Sequence, residues 1–166
     1  KGTLILESGS LIDVSGVSGE IDQFTPSGVQ TIAVAGAGGE ISLHAREGLA
    51  IKGDLFGKAA SVPGAAGGSL SIGLDLYDRS QNPNVSISGG AVFFPTQDRV
   101  LTLTSDPAAS LPPTPANGTE HISTRSLQAG GFDEIELKST DIIALKGAVD
   151  LGAKRGLILD APVLRG

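Results

Sequence analysis

The chain has 166 residues, 40% of them hydrophobic, with 24 Gly, 9 Pro and no Cys, Met or Trp. A net charge of −6 and a pI near 4.8 argue against a nucleic-acid groove and against anionic membrane surfaces, both of which require a basic patch. Absence of Cys removes disulfides, thiolate catalysis and Cys-ligated zinc together, and no apolar run reaches the ~18 residues of a bilayer-spanning helix.

Taken in chain order, Lys1-Gly2-Thr3 leads at once into an alternating run, Leu4-Ile5-Leu6, with no initiator Met and no signal peptide. The chain closes on another apolar run, Gly156-Leu157-Ile158-Leu159. Both ends are expected to continue into a longer protein. Period-two alternation also marks Ile41-Ser42-Leu43, Leu70-Ser71-Ile72 and Leu101-Thr102-Leu103. Helix signals are poor, since only 132–146 offers fifteen residues free of both Gly and Pro. Even there Ile135 and Leu137 alternate around Glu136.

A five-residue unit recurs: aliphatic, any, aliphatic, any, Gly. It occurs at Ile12–Gly16, Ile32–Gly36, Leu49–Gly53, Val85–Gly89 and Ile143–Gly147, and its starts are separated by 20, 17, 36 and 58 residues. These fit one, one, two and three multiples of about 19, a period proper to solenoids. In a strand the two aliphatic positions point the same way, and the Gly is expected to supply a positive φ at a corner. Residues 40–55 also align without a gap on 134–149, with every aliphatic position kept except Gly48 against Ile142.

Three segments break the repeat. Residues 77–84 are polar turn formers, and 105–120 hold Pro107, Pro112, Pro113, Pro115 and Gly118, which preclude regular pairing. The Gly- and Ala-rich 57–68 is the third. The first two are expected as loop insertions, and such loops often carry binding.

One rung cannot bury its apolar side alone, but rungs stacked about 4.8 Å apart place like aliphatics on like. The expected fold is therefore all-β: a single-stranded right-handed parallel β-helix, a solenoid of about eight coils over 1–166 at that period. An antiparallel sandwich is the alternative, although sandwich cores commonly use Trp or Tyr. A left-handed coil would need a hexapeptide register, which the sequence does not sustain.

Gly38-Gly39-Glu40-Ile41-Ser42-Leu43 followed by Gly48-Leu49-Ala50-Ile51-Lys52-Gly53 resembles the passenger repeats of filamentous-haemagglutinin-type exoproteins. So do Ala66-Gly67-Gly68-Ser69-Leu70-Ser71-Ile72 and Gly156-Leu157-Ile158-Leu159-Asp160-Ala161-Pro162. The likeness covers nearly the whole chain through degenerate motifs that report mostly fold. It implies two-partner secretion by a Gram-negative bacterium, through an outer-membrane secretion partner, and a rod at the cell surface. Such rods serve adhesion to a host or neighbouring-cell receptor or glycan, biofilm formation, or presentation of a toxin. The resembled family's secretion domains carry Asn-Pro-Asn motifs; Asn82-Pro83-Asn84 follows Arg79-Ser80-Gln81 here, without the usual apolar approach, and is read as a turn in the rod. Asn84 and Asn117 begin N-glycosylation sequons, and some adhesins of that family are glycosylated at such sites.

No catalytic residue, metal ligand or cofactor-binding residue is assigned from the sequence. β-Helices also host lyases and glycosidases that cluster carboxylates on one face. The residues to weigh are Asp75, Asp78 and Arg79, then Asp133 with Glu134, then Asp150. None recurs in step with the rungs, so they read as solvated carboxylates. His44 and His121 have no partner at ligand spacing, and His44, beside an inward Leu43, should point outward. Gly130-Gly131-Phe132-Asp133 resembles half of a calcium repeat without its second Gly. Gly36-Ala37-Gly38-Gly39 lacks the following helix of a dinucleotide fingerprint. The segment is thus expected to be a monomeric, non-enzymatic rod that neither enters a membrane nor binds nucleic acid. A carbohydrate-active β-helix and a phage tailspike or fibre are the alternatives.

Overall fold

Alternating polarity produces short strands whose two faces differ sharply. In Glu40–Ala45, Ile41, Leu43 and Ala45 are buried while Glu40, Ser42 and His44 are exposed, as a two-residue period requires. The computed structural model describes residues 2–74, 98–112, 115–116 and 118–166, and strands dominate it. Segment 77–84, the unit 85–89, Asp75, Asp78, Arg79, Asn84 and Asn117 lie outside the described residues.

The described elements run β1 (Thr3–Leu6), β2 (Leu11–Asp13), β3 (Ser18–Thr25), β4 (Gly28–Ala35), β5 (Glu40–Ala45), β6 (Gly48–Ile51), β7 (Asp54–Phe56) and β8 (Ser69–Leu74). They continue as β9 (Val100–Thr104), β10 (Thr119–Ser123), α1 (Thr124–Gly130), β11 (Glu134–Ser139), β12 (Ile142–Lys146), β13 (Gly156–Asp160) and β14 (Val163–Arg165). A six-stranded sheet has the order β1-β6-β10-β9-β12-β14, a four-stranded sheet β5-β8-β11-β13, and β2 pairs with β7. Every pairing in these three sheets is parallel. Parallel partners need a long crossover, and the shortest returns bring Ile143 to Leu164 and Ile135 to Leu157, 21 and 22 residues on.

Register holds across each sheet. Ile41, Leu70, Ile135 and Leu157 form one column, and Leu43, Ile72, Leu137 and Leu159 the next. In the six-stranded sheet Leu4, Leu49, Glu120, Leu101, Ile143 and Leu164 stand in line. Side chains from both large sheets meet in one core, in which Leu49, Ile72, Leu101, Leu137 and Ile143 are fully buried. Each such side chain contributes about 1.5–3 kcal/mol relative to an exposed position. The alignment of 40–55 with 134–149 is the structural register: Glu40 and Glu134 both pair with Ser69, and Gly48 shares a row with Ile142 through Thr119 and Val100.

Several expectations need correction. Ile12, Ile32 and Leu49 do not lie above one another: Ile12 pairs with Leu55, Leu49 with Leu4 and Glu120, and Ile32 with Ile21. The unit Ile32–Gly36 is no rung, because β4 folds back on β3 as an antiparallel hairpin. Its turn, Thr25-Pro26-Ser27-Gly28, suits reversal: Gly28 has φ +129° and Thr25 Oγ1 donates to Gly28 O at 2.8 Å. The spacing near 19 is replaced by returns of 21 residues or more. The glycines of the unit do not share one role either. Gly147 has a positive φ, whereas Gly16 and Gly53 do not. A Cβ on Gly16 would strike the Gly36 carbonyl, and one on Gly53 would strike Ser10, so close backbone approach is what they permit.

Chain order is also broken at β9 and β10. β10 lies beside β6, and β9 lies beyond it, next to β12. The helix, absent from the sequence reading, starts after Ser123, buries Leu127 and ends at Gly131 in the left-handed conformation. The segment between Thr104 and Thr119 is not wholly thrown out into solvent. A 3-10 turn spans Ala108–Ser110, Leu111 is buried, and Pro115 packs against Gly48, while Thr119 and Glu120 already belong to β10.

Candidate functional site

The outward face of the four-stranded sheet carries three rows of side chains. Glu40, Ser69, Glu134 and Gly156 form the first; Ser42, Ser71, Glu136 and Ile158 the second; His44, Gly73, Lys138 and Asp160 the third. Adjacent strands place neighbours in a row about 4.8 Å apart. An open depression of about 460 Å³ lies among Glu40, Ser69, Ser71, Glu134, Glu136 and Ile158.

Ser71 is the hub of this face. Its hydroxyl donates to Glu136 Oε2 at 3.1 Å and lies 3.4 Å from His44 Nε2. Gly73 makes room for the imidazole, because a Cβ there would collide with Nδ1 and Cε1 of His44. Ion pairs edge the depression: Arg155 Nη2 reaches Glu134 Oε1 at 2.8 Å, and Lys138 Nζ reaches Asp160 Oδ2 at 3.5 Å. The serine stands between the imidazole and the carboxylate, so Glu136 does not orient His44 as the acid of a nucleophilic triad orients its base. The face is built to accept hydrogen bonds from hydroxyl or ammonium groups.

No protein-family model, curated protein or solved structure matches the chain. The chemistry of the residues themselves therefore carries the functional reading.

The other residues weighed from the sequence are dispersed. Asp133 is buried and accepts from the Gly67 amide at 2.8 Å, with Lys154 3.9 Å away. It holds a corner, while its neighbour Glu134 faces the depression. Asp150 accepts from the Gly152 amide at 3.1 Å in a local turn. Gly130-Gly131 ends α1, and Phe132 is buried against Gly57, so this stretch is a helix stop with an anchor. His44 is exposed beside buried Leu43. His121 is half-buried under Leu111, Pro112 and Pro115, and burial first, then the charge of Lys146, lowers its pKa. Among the described residues no three His, Cys, Asp or Glu side chains converge as a metal group.

Sequence reasoning missed Ser71 and Glu136 as a pair. The signal lay in the gapless alignment, which puts Ser42 and Glu136 in one column; adding 69–74 at the same register brings in Ser71. It also missed Glu120. Both oxygens of this side chain are fully buried without a hydrogen-bond partner, and burial raises the carboxyl well above its usual range.

Proposed function

We propose that this chain is a structural or adhesive rod segment of a large secreted surface exoprotein of the filamentous-haemagglutinin type, wound as a right-handed parallel β-helix. The observation that carries this reading is the shared register of two large parallel sheets, whose inward columns of Leu and Ile face one core. Such stacking extends along one axis by adding rungs and leaves the outer rows free to vary. The outward face around Ser71, with its carboxylates and hydroxyl, is the surface on which a receptor or glycan would rest. Full-length protein of this kind would leave a Gram-negative cell through an outer-membrane partner.

A carbohydrate-active β-helix is the second reading, favoured by Glu134 and Glu136 beside the depression. The test pairs two measurements on the purified chain. Small-angle scattering with light scattering reads shape and mass, and reducing-end assays read turnover of neutral and acidic polysaccharides. The rod reading expects an elongated monomer and no turnover. A compact particle, or depolymerising activity abolished by Glu136→Gln, would overturn it; a trimer would transfer support to a tailspike or fibre.

A further inference from the structure

Five of the six residues in the column Leu4, Leu49, Glu120, Leu101, Ile143 and Leu164 are aliphatic, and the sixth is a carboxylic acid. Glu120 has no solvent exposure, and neither oxygen finds a donor. Its register partners are Leu49 on β6 and Leu101 on β9. From across the core the four-stranded sheet offers Ile, Leu, Ala and Ser from its inward positions, with no titratable group. β6 carries no charged residue. Charged or titratable groups on the segments adjoining β10 are Arg99, buried at the entry to β9; Asp106, which Thr104 contacts; Arg125 on α1; and His121 on the opposite face of β10, near Lys146.

An ionised carboxylate without a partner is costly in such surroundings, so the group stays neutral or the strand leaves. The position of β10 decides where the structure yields. Its pairing with β9 covers five residues, but its pairing with β6 covers three, Thr119 to His121. The amide of Gly118 adds one bond across that seam, to Glu47 O at 2.7 Å.

We propose that Glu120 makes the β6–β10 seam a proton-dependent latch, closed while the carboxyl holds its proton and opened when the proton is lost. Opening exposes the carboxyl to water, where it ionises near pH 4.3. The closed form binds the proton more tightly, so each pH unit above that value favours the open form about tenfold, until the closed form ionises as well. Acid closes the seam. His121 works in the opposite sense, because its ring is held neutral, and both groups ride on the same strand.

Amide hydrogen exchange on the whole chain, read residue by residue and corrected for the pH dependence of intrinsic exchange, tests this. The opening constant at Gly118 and across β6 and β10 is expected to rise about tenfold per pH unit above pH 5 relative to Glu120→Gln. Amides of β5 and β8 should show no such difference. Both chains carry His121, so the comparison isolates Glu120. A Gly118 opening constant with the same pH slope in both chains overturns the latch. Should the Gln variant not fold, a carbon-13 titration of the Glu120 carboxyl in the unaltered chain decides: a midpoint at the ordinary glutamate value overturns the proposal, and a raised midpoint accompanied by the Gly118 slope supports it.

Discussion

The imidazole of His44 occupies the space that a side chain at Gly73 would fill, and this places His44 Nε2 within 3.4 Å of the Ser71 hydroxyl. A glycine inside a strand usually weakens it; here the missing Cβ lets one strand's ring lie across its neighbour. Gly73→Ala is expected to turn His44 away from Ser71 while changing stability by less than ~1 kcal/mol, since the ring is exposed and free to move. The check is the imidazole nitrogen and proton NMR shifts of His44; unchanged shifts would contradict the packing described.

Leu101 stands at the centre of its column and Leu164 at the edge, 0% and 55% exposed. Leu101→Ala removes a methyl-rich side chain from a closed core and should cost about 2–5 kcal/mol. Leu164→Ala should cost less than ~1 kcal/mol, because most of its surface already meets water. Urea denaturation of the two variants measures the difference, and equal losses would show that the columns do not form one graded core.

Gly68 lies against backbone, not against a movable side chain. Its amide donates to Gly57 O at 2.6 Å, and an added Cβ would run into the Gly39 carbonyl. Gly68→Ala should therefore destabilise by about 1–3 kcal/mol as the corner spreads. An unchanged melting temperature would mean that the corner is looser than its hydrogen bonds indicate.

His121 gives a pH dependence whose sign can be worked out. Burial, aided by Lys146, favours the neutral ring in the folded chain, whereas the unfolded ring titrates near 6.5. The folded form is thus fully favoured above pH 6.5 and loses stability as pH falls from there through the lowered folded value. Denaturation midpoints of the wild type and His121→Gln, compared from about pH 7.5 down to 5, should diverge, with the wild type losing more. Parallel curves would remove His121 as the cause.

Much of this protein was legible without coordinates because alternation is local. Ile41, Leu43, Leu70, Ile72, Ile135 and Leu137 announce inward positions by their own spacing, and the match between 40–55 and 134–149 already contained a register that the sheets use. Composition likewise fixed the strand-rich class: aliphatics without Trp or Met suit regular layers. The spacing of the five-residue unit misled, because Ile32 and Val34 satisfy the same pattern on an exposed hairpin.

What only the tertiary structure decided is long-range. Pairing partners are chosen by total burial across the sheet, not by any five residues, so no local signal tells that β10 sits between β6 and β9. That choice, in turn, buries Glu120 in an aliphatic column where a sequence would place a solvated acid. The same reach across strands brings Ser71 to Glu136 and His44, three residues whose neighbourhood exists only after three parallel strands have been laid side by side.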